Sequence, residues 1–334
     1  MNSCQESTPT GIARLASQSV PLLEKKQTVY FELEAKSILN RCSNTKMPFY
    51  WTINPYRGCE LACKYCYARY THGYMGMEDG TEFERKIYNK RDASLVLDEE
   101  LSAAKLRNRP VAIGTATDPY QPAERRFFTT RSLLEVLAKR PGVALSVTTK
   151  SDLVVRDVEL LKQIHQQGSL HVNISITTVK PRLARQLEPK APTPKRRLAA
   201  VKALAGHGIP VGVFIMPVIP CLTDDPEGLD EIAKMAKAAG ADYLAARPLF
   251  LMPSAKNVFL PFIEEKFPRL RESYRKLFAS SAYLPEAYSA KIRTRIDAIR
   301  LRHKLASHPP EAVIVPPPTV PQQTVFLFGS EILA

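Results

Sequence analysis

The sequence predicts an α/β fold, a partial (β/α)6 TIM-like barrel with a helical C-terminal extension. Six short apolar runs, rich in valine, isoleucine, threonine and aromatic residues, have the composition of strands. Helical patterns separate them at spacings of roughly 30 residues, the βαβ repeat of a parallel sheet. After Pro253 only helical patterns follow. Six such units form a partial barrel more naturally than a full one of eight.

The predicted strands are expected to bring their carboxyl ends to one rim. Crossovers between parallel strands are right-handed, and catalytic residues gather where the strands of such a series end. The six runs are Phe49–Asn54, Val111–Thr115, Val143–Thr149, Leu170–Thr177, Val211–Ile219 and Tyr243–Phe250.

The helices between the strands have clear start and stop signals. Arg131–Arg140 follows Thr129 or Thr130 as N-cap, places its leucines on one face and precedes a Pro-Gly stop. Pro194 and Pro226 stand where the first turn of a helix accepts proline, each after a residue suited to capping. We therefore predict one helix from Pro194 to near Gly206 or Gly208, and another from Pro226 to Gly240.

The two ends of the chain are predicted to lie outside the barrel. Residues 1–28 show no periodicity, and Val29–Asn40 has the pattern of a short helix. We expect Val325–Leu333, a short apolar segment, to dock back onto the protein. The expected domains are an N-terminal extension over residues 1–46, the barrel over 47–253, a helical extension over 254–307 and a proline-rich tail over 308–334.

The chain carries a strong positive charge. Its 334 residues include 47 Lys and Arg against 33 Asp and Glu, which gives a net charge of +14. This bias favours an anionic partner, nucleic acid first, and the alternative is a basic but ordinary surface. The first residues lack the features of a signal peptide, and three prolines break the longest uncharged stretch, Gly208–Thr223. We expect a cytoplasmic protein with no membrane span.

Two segments concentrate the basic residues. Residues 180–202 hold eight Lys and Arg against Glu188 alone, and residues 288–307 hold six against Asp297 alone. Such clusters suit the phosphate backbone of DNA or RNA, although each one is equally compatible with a solvated helix face. The sequence shows no base-reading motif beside them.

Three cysteines crowd into eight residues directly after the first predicted strand. Cys59, Cys63 and Cys66 have the spacing C-x3-C-x2-C. Three thiolates hold three irons of a [4Fe–4S] cluster and leave the fourth iron open to a ligand. The alternative is a zinc site with His72 or Cys42 as the fourth ligand, but this spacing matches no common zinc finger.

The loop and its surroundings resemble the radical S-adenosylmethionine (SAM) superfamily, in its spore-photoproduct-lyase-like branch, whose members are often labelled DNA repair photolyases. The resemblance covers about residues 35–290. It is carried by Met47-Pro48-Phe49, Asn54-Pro55-Tyr56-Arg57-Gly58-Cys59, Tyr65-Cys66-Tyr67-Ala68-Arg69, Thr71-His72, Gly114-Thr115-Ala116-Thr117-Asp118-Pro119-Tyr120-Gln121-Pro122, Thr149-Lys150, Arg156-Asp157 and Glu188-Pro189.

This resemblance implies an enzyme with two cofactors, a [4Fe–4S] cluster and SAM. The reduced cluster passes one electron to SAM, and the resulting 5′-deoxyadenosyl radical abstracts a hydrogen atom from the substrate. The resemblance and the charge together favour nucleic acid as that substrate. The alternatives are a radical SAM enzyme acting on a protein or small molecule, and a non-catalytic zinc- or cluster-containing protein that binds nucleic acid. The one-electron donor is not identifiable from sequence.

The resemblance also assigns SAM-binding roles, each with a structural alternative. Tyr65 stacks on the adenine or merely packs in the loop. Thr115, Thr117 and Asp118 follow the second strand, where the superfamily holds the methionine amino group, and Asp118 before a proline is alternatively a turn former. Lys150 meets the methionine carboxylate or ribose, or is simply solvated.

Two further residues have similar assignments. Ser175 on the fourth strand bonds the ribose or carboxylate of SAM, or else satisfies itself on the backbone. Arg185 contacts a cofactor carboxylate, or forms an ion pair with Glu188 three residues later.

The sequence departs from the family pattern at two positions. Spore photoproduct lyases carry a cysteine in the second-strand loop that returns a hydrogen atom to the product radical, and the corresponding residue here is Thr115. A threonine O–H bond is too strong for that task, which puts thymine-dimer repair in doubt. Cys221, after the fifth strand, is expected on the same rim, as a substitute hydrogen donor or as a small buried thiol.

Overall fold

Eleven strands form two sheets in the part of the chain that the computed structural model describes, residues 9–25, 27–101, 106 and 109–310. The predicted docking of Val325–Leu333 lies outside these residues. The strands are β1 (Val20–Lys25), β2 (Thr28–Glu34), β3 (Leu39–Arg41), β4 (Trp51–Ile53), β5 (Tyr56–Arg57), β6 (Lys86–Arg91), β7 (Val111–Ile113), β8 (Ala144–Thr149), β9 (Ser169–Ser175), β10 (Val211–Val218) and β11 (Tyr243–Pro248).

The larger sheet has the order β11-β10-β9-β8-β7-β4-β3. Strands β4, β7, β8, β9, β10 and β11 are parallel to their neighbours, and β3 pairs with β4 in the antiparallel direction. Five of these six parallel strands fall within the predicted runs, and β9 begins one residue before its run, so the predicted mixed α/β fold with a parallel sheet is confirmed. Their carboxyl ends share one edge, where the site residues are expected.

The two faces of the larger sheet differ in polarity. Val172, Ile174 and Val213 are fully buried in the main core against the helices. On the other face Asn173 donates to Ser146 Oγ and Thr148 Oγ1, both at 3.1 Å. Because side chains alternate along a strand, one face supplies the core and the other is free to carry polar groups.

Helices connect the parallel strands and follow the last of them. Two predicted caps are present: Asp225 Oδ1 accepts from Gly228 N at 2.8 Å, and Thr193 Oγ1 accepts from Arg196 N at 3.4 Å. None of the helices in the described ranges is long and apolar enough to cross a membrane. The helices are α1 (Gly11–Ser17), α2 (Tyr70–Gly73), α3 (Glu82–Arg85), α4 (Ala93–Glu100), α5 (Glu124–Phe127), α6 (Thr129–Leu137), α7 (Val158–Gln167), α8 (Pro181–Leu187), α9 (Pro194–Gly206), α10 (Pro226–Ala238), α11 (Pro253–Lys266), α12 (Arg271–Leu277) and α13 (Glu286–His303), with 3-10 turns at Tyr67–Arg69, Asp152–Asp157 and Pro268–Leu270.

A second sheet of order β1-β2-β6-β5 was not predicted. The prediction of a helix over Val29–Asn40 is wrong, because Thr28–Glu34 is a strand that pairs in parallel with Lys86–Arg91. Residues 1–28 were expected to lack regular structure, yet α1 and β1 lie among them. In β2 the buried Tyr30 alternates with the partly buried Val29 and Phe31, so both faces of this strand are at least partly covered.

Candidate active site at the strand ends

The three cysteines lie in one tight loop after β5. Gly58 opens this loop with φ of +80°, and a Cβ there would lie 2.5 Å from the Lys86 carbonyl oxygen, so only glycine fits. The Gly58 carbonyl accepts hydrogen bonds from Thr117 Oγ1 at 2.6 Å and Gln121 Nε2 at 3.1 Å. The loop after β7, which carries both donors, therefore holds the start of the cysteine loop.

Further contacts fix the rest of the cysteine loop. Lys64 N donates to the Leu187 carbonyl at 2.9 Å, which ties the loop to α8. The buried Arg69 guanidinium donates to the Cys63 carbonyl at 2.9 Å and pairs with Glu84 at 2.5 Å. A loop held on several sides presents its side chains in a fixed arrangement before any ligand binds.

The three thiols suit a metal cluster chemically. Cys59 and Cys63 are buried and Cys66 is partly buried. Burial raises the pKa of all three thiols, that of Cys63 to about 12, and the neighbouring Cys63 and Cys66 raise the pKa of Cys59 further. Binding iron would therefore displace the thiol protons. Three soft sulfur donors in one loop fit the three-cysteine ligation of a [4Fe–4S] cluster.

The two candidates for a fourth zinc ligand are engaged elsewhere. His72 Nε2 lies 3.0 Å from the Lys86 carbonyl oxygen, and its ring packs edge-on against Phe83. Cys42 Sγ lies 3.7 Å from the Asn44 carbonyl oxygen. Across the described residues, no group of three or more His, Cys, Asp or Glu side chains is placed to hold a single metal ion.

Tyr65 belongs to a buried network behind the cysteine loop. Its hydroxyl lies 2.9 Å from Thr177 Oγ1 and donates to Glu188, which also forms an ion pair with Arg197. Arg197 donates as well to the carbonyls of Pro192 and Ser175. An ion pair of Glu188 with Arg185 was the alternative to a cofactor contact for Arg185. In the structure Glu188 pairs with Arg197, one helix further along the chain.

Asp118 links the ends of two neighbouring strands by hydrogen bonds. Its carboxylate accepts from Thr149 Oγ1 at 2.6 Å, Lys150 N at 2.7 Å and Tyr120 N at 2.9 Å. Burial raises the pKa of Asp118, and these hydrogen bonds oppose that rise. The hydrogen bond from Tyr120 N closes the turn that was expected if Asp118 is a turn former. The first two join the loops after β7 and β8, so Asp118 positions the segment that carries Lys150.

Lys150 lies beside the cysteine loop. Its ammonium nitrogen is 5.8 Å from the centre of the Tyr65 ring, within the range of a cation–π contact. Burial lowers the pKa of Lys150, but the Cys63 sulfur, once ionised, and the Glu188 carboxylate outweigh that effect, and the pKa lies above its ordinary value. A cation is therefore present where the loop meets the strand ends.

Thr115, Thr117 and Ser175 also lie at the strand ends. Thr115 Oγ1 accepts from Asn54 Nδ2 at 3.1 Å, and the Thr115 carbonyl accepts from the Tyr67 hydroxyl. Thr117 is buried and bonded to Gly58. Ser175 follows Asn173 by two residues on β9, so it lies on the same polar face.

The structure does not bring Arg185 into this group. Its guanidinium donates to the Pro189 carbonyl at 2.7 Å, at the exposed end of α8. Cys221 follows β10 at the same edge of the sheet, with φ of +59° and an exposed side chain. It is therefore not the small buried thiol of the alternative interpretation.

The first basic segment is only partly a free surface. Arg197 is 1% exposed, Lys180 pairs with Asp225 at 3.1 Å, and Arg196 pairs with Asp152 at 2.6 Å. In the second segment Arg293, Arg300 and Arg302 also pair with acids. The acids come from elsewhere in the sequence for most of these pairs, so a count along the chain overstates the free positive charge.

The sequence pattern of the radical SAM superfamily matches residues 53–239, more than half of the chain. The chain belongs to the radical SAM superfamily. Uncharacterized proteins of Mycobacterium tuberculosis are 37% identical over 294 residues, covering 86% of this chain and 86% of theirs. An uncharacterized protein of Methanocaldococcus jannaschii is 30% identical over 260 residues, covering 76% of this chain and 90% of its own.

Solved structures of radical SAM enzymes share the fold. Spore photoproduct lyase complexed with dinucleoside spore photoproduct superposes with a TM-score of 0.62 at 15% identity, covering 89% of this chain and 83% of the lyase. SuiB of Streptococcus suis bound to S-adenosylmethionine superposes with a TM-score of 0.51 at 14% identity, covering 77% of this chain and 49% of SuiB. The cofactors of this radical SAM protein are those of its family, a [4Fe–4S] cluster and SAM.

Sequence reasoning missed several contributors to the radical SAM site. Gln121 bridges two loops by accepting from Glu60 N at 2.8 Å and donating to the Gly58 carbonyl. Arg69 holds the loop from its far end. Both residues stand in the motifs that carry the family resemblance, and that membership was the available signal for them.

Proposed function

We propose that this protein is a cytoplasmic radical SAM enzyme that acts on nucleic acid, with chemistry like that of the DNA repair photolyases. In this proposal residues 47–253 form a partial (β/α)6 barrel, with extensions over residues 1–46, 254–307 and 308–334. The row of exposed aromatic rings that starts at the site carries the proposal, because rings in this position offer stacking surfaces for bases.

The proposed SAM site uses residues that surround the cysteine loop. Cys59, Cys63 and Cys66 hold the cluster, which when bound supplies an electron for reductive cleavage of SAM. Lys150 neutralises the methionine carboxylate, and Asp118 holds Lys150 in place. Tyr65 is fixed by Glu188 and contributes its ring to the adenine side. Thr115, Thr117 and Ser175 supply the remaining polar contacts.

Three tyrosines on one helical face support nucleic acid as the substrate. Tyr67, Tyr70 and Tyr74 follow Cys66 at the spacing i, i+3 and i+7, so they share one side of the turn and helix α2. They are 39%, 38% and 65% exposed. An apolar ring with a polar tip is the side chain that stacks on a base while remaining in water.

The aromatic row continues away from the site. The Tyr67 ring, whose hydroxyl bonds to the Thr115 carbonyl, lies 5.5 Å from the Phe250 ring, and Phe250 stacks on Tyr283 at 5.7 Å. Tyr283 is 64% exposed. A series of neighbouring rings beside the site suits unpaired nucleotides, whose bases stack on aromatic side chains.

Replacing Tyr283 with alanine should weaken binding of single-stranded DNA by about 5- to 150-fold, since one base stack contributes about 1–3 kcal/mol. The slope of affinity against salt should not change, because the substitution removes no charge. Fluorescence anisotropy with a labelled oligonucleotide at several salt concentrations measures both quantities.

The matched control is Leu301→Ala, since Leu301 is an apolar side chain on α13 that is 83% exposed. It should bind DNA as the unaltered protein does. If the unaltered protein has no measurable affinity for DNA or RNA even at low salt, the substrate is a protein or a small molecule.

Replacing Asp118 with alanine should weaken SAM binding by roughly tenfold, or about 1.4 kcal/mol, while the iron content stays the same. The carboxylate holds the backbone of Lys150, and without it the segment loses its position. Asp118→Asn keeps one acceptor oxygen and should lose less. Calorimetric titration of the reconstituted protein with SAM measures this, and equal affinity in all three proteins would remove Asp118 from the site.

The proposed hydrogen donor is Cys221, because Thr115 occupies the position of the family's donor cysteine. Its exposure at the end of β10 supports access to a substrate radical. The Tyr274 hydroxyl donates to the neighbouring Pro220 carbonyl at 2.6 Å and steadies the turn that carries Cys221.

A further inference from the structure

A groove of about 460 Å³ lies against the cysteine loop. It is formed where α8 and α11 meet Lys64 of that loop. In the described part of the chain, the strand-end residues Thr115, Thr117, Asp118 and Lys150 do not line it. Its lining residues are Lys64, Arg185, Gln186, Pro189, Val258, Pro261, Phe262, Glu265 and Lys266.

One residue of the cysteine loop, Lys64, lines the groove. Lys64 stands between Cys63, a cluster ligand, and Tyr65, and its backbone nitrogen is fixed by the Leu187 carbonyl at 2.9 Å. Consecutive Cα atoms are about 3.8 Å apart, so a molecule seated in the groove approaches the cluster through a single residue. SAM and the substrate, placed at the strand ends, do not compete for this surface.

The charge of the groove favours an acidic partner. Its lining holds three cations, Lys64, Arg185 and Lys266, and one acid, Glu265, which pairs with Lys266 at 2.6 Å. Glu84 lies 4.0 Å from Lys64, but the buried Arg69 already pairs with this carboxylate at 2.5 Å. The groove also contains the apolar residues Val258, Pro261 and Phe262, and burying them against a partner would stabilise the complex.

We propose that this groove is the docking surface for an acidic one-electron carrier protein that reduces the cluster. The reduced carrier loses one electron and the cluster gains it, passing from the 2+ to the 1+ state, with no bond formed or broken. For a flavin carrier, the anionic hydroquinone becomes the neutral semiquinone. The proposal depends on the family's cofactors and not on nucleic acid as the substrate.

The test is the rate at which a carrier reduces the reconstituted protein. The probe is purified flavodoxin, an acidic flavin protein, in its hydroquinone form, mixed without oxygen while the cluster absorbance is followed. The double variant Lys266→Glu/Gln186→Glu places new negative charge in the groove. It should slow the second-order rate at low salt at least about tenfold, because the steering of acidic partners is lost. Its rate should also depend less on salt.

The matched control makes the same change in charge elsewhere. Lys162 and Gln166 lie one turn apart on α7, and Lys162 pairs with a nearby acid at 3.7 Å, as Lys266 does. Lys162→Glu/Gln166→Glu should be reduced at the rate of the unaltered protein. Dithionite should reduce all three proteins equally, since a small reductant needs no docking surface.

Three results would overturn the proposal. One is an unchanged rate with flavodoxin in the groove variant. Another is equal slowing with dithionite, which would mean that the substitutions act on the cluster itself. The third is a groove variant that loses affinity for DNA but is still reduced normally, which would assign the groove to the phosphate backbone.

Discussion

Cys63→Ala should abolish both iron binding and the cleavage of SAM. The unaltered protein, reconstituted without oxygen, is expected to carry about four irons per chain. With dithionite it should release 5′-deoxyadenosine and methionine. Cys63 is buried in the middle of the loop, and among the described residues the other two thiols of this loop, Cys59 and Cys66, are themselves proposed ligands. Iron analysis and chromatography of the products measure the two losses.

Cys42→Ala is the control for this experiment. Cys42 lies after β3 with its sulfur at the Asn44 carbonyl, so its loss should leave iron content and SAM cleavage unchanged. Cys221→Ala should likewise retain iron, although hydrogen transfer to a product is expected to suffer. Stoichiometric zinc without iron uptake in the unaltered protein would refute the cluster. Such a protein would never cleave SAM and would be a nucleic-acid-binding protein at most.

The parallel sheet could be predicted because its signals are local. Each strand is a short apolar run between turn residues, and each helix carries its own caps, as at Thr193 and Asp225. The second sheet could not be predicted this way. Its strand β2 pairs with β6, more than 50 residues later in the chain, and that pairing decides between strand and helix for a segment whose local pattern fits both.

The cysteine loop was equally predictable, but its support was not. Three thiols at fixed spacing identify the site from a few residues. The partner of Glu188 was not predictable from local spacing, because the spacing i, i+3 suggested Arg185, whereas Arg197 lies on the next helix. Only the packing of α9 against the end of β9 decides it, and that packing buries Arg197 at 1% exposure. Within the basic segment 180–202, Arg197 is therefore a buried ion-pair partner and not part of a surface for an anionic ligand.

The buried Glu188–Arg197 ion pair supports the cysteine loop, because Glu188 accepts a hydrogen bond from Tyr65 of that loop. Glu188 accepts from Tyr65, Thr177 and Arg197 at once, and it is 2% exposed. Burial raises the pKa of Glu188, but the charges of Arg197 and Lys150 outweigh it and hold the pKa below its ordinary value. The carboxylate is therefore charged in the folded protein and depends on Arg197 for compensation.

Arg197→Met should lower the free energy of unfolding by about 3–5 kcal/mol, since it leaves a buried carboxylate without its cation. Urea denaturation followed by circular dichroism measures the loss. The double variant Arg197→Met/Glu188→Gln removes both charges and should recover part of that stability, because an intact buried pair often contributes little net free energy compared with neutral residues.

The control for this pair is Glu286→Gln, which breaks the exposed ion pair with Arg293 and should change stability by less than about 1 kcal/mol. Arg197→Met should also disturb Tyr65, because Glu188 is free to turn away from the tyrosine hydroxyl. The iron signal of the reconstituted variant should then differ from that of the unaltered protein in electron paramagnetic resonance. A variant that is as stable as the unaltered protein, with the same spectrum, would show that the pair supports neither the fold nor the loop.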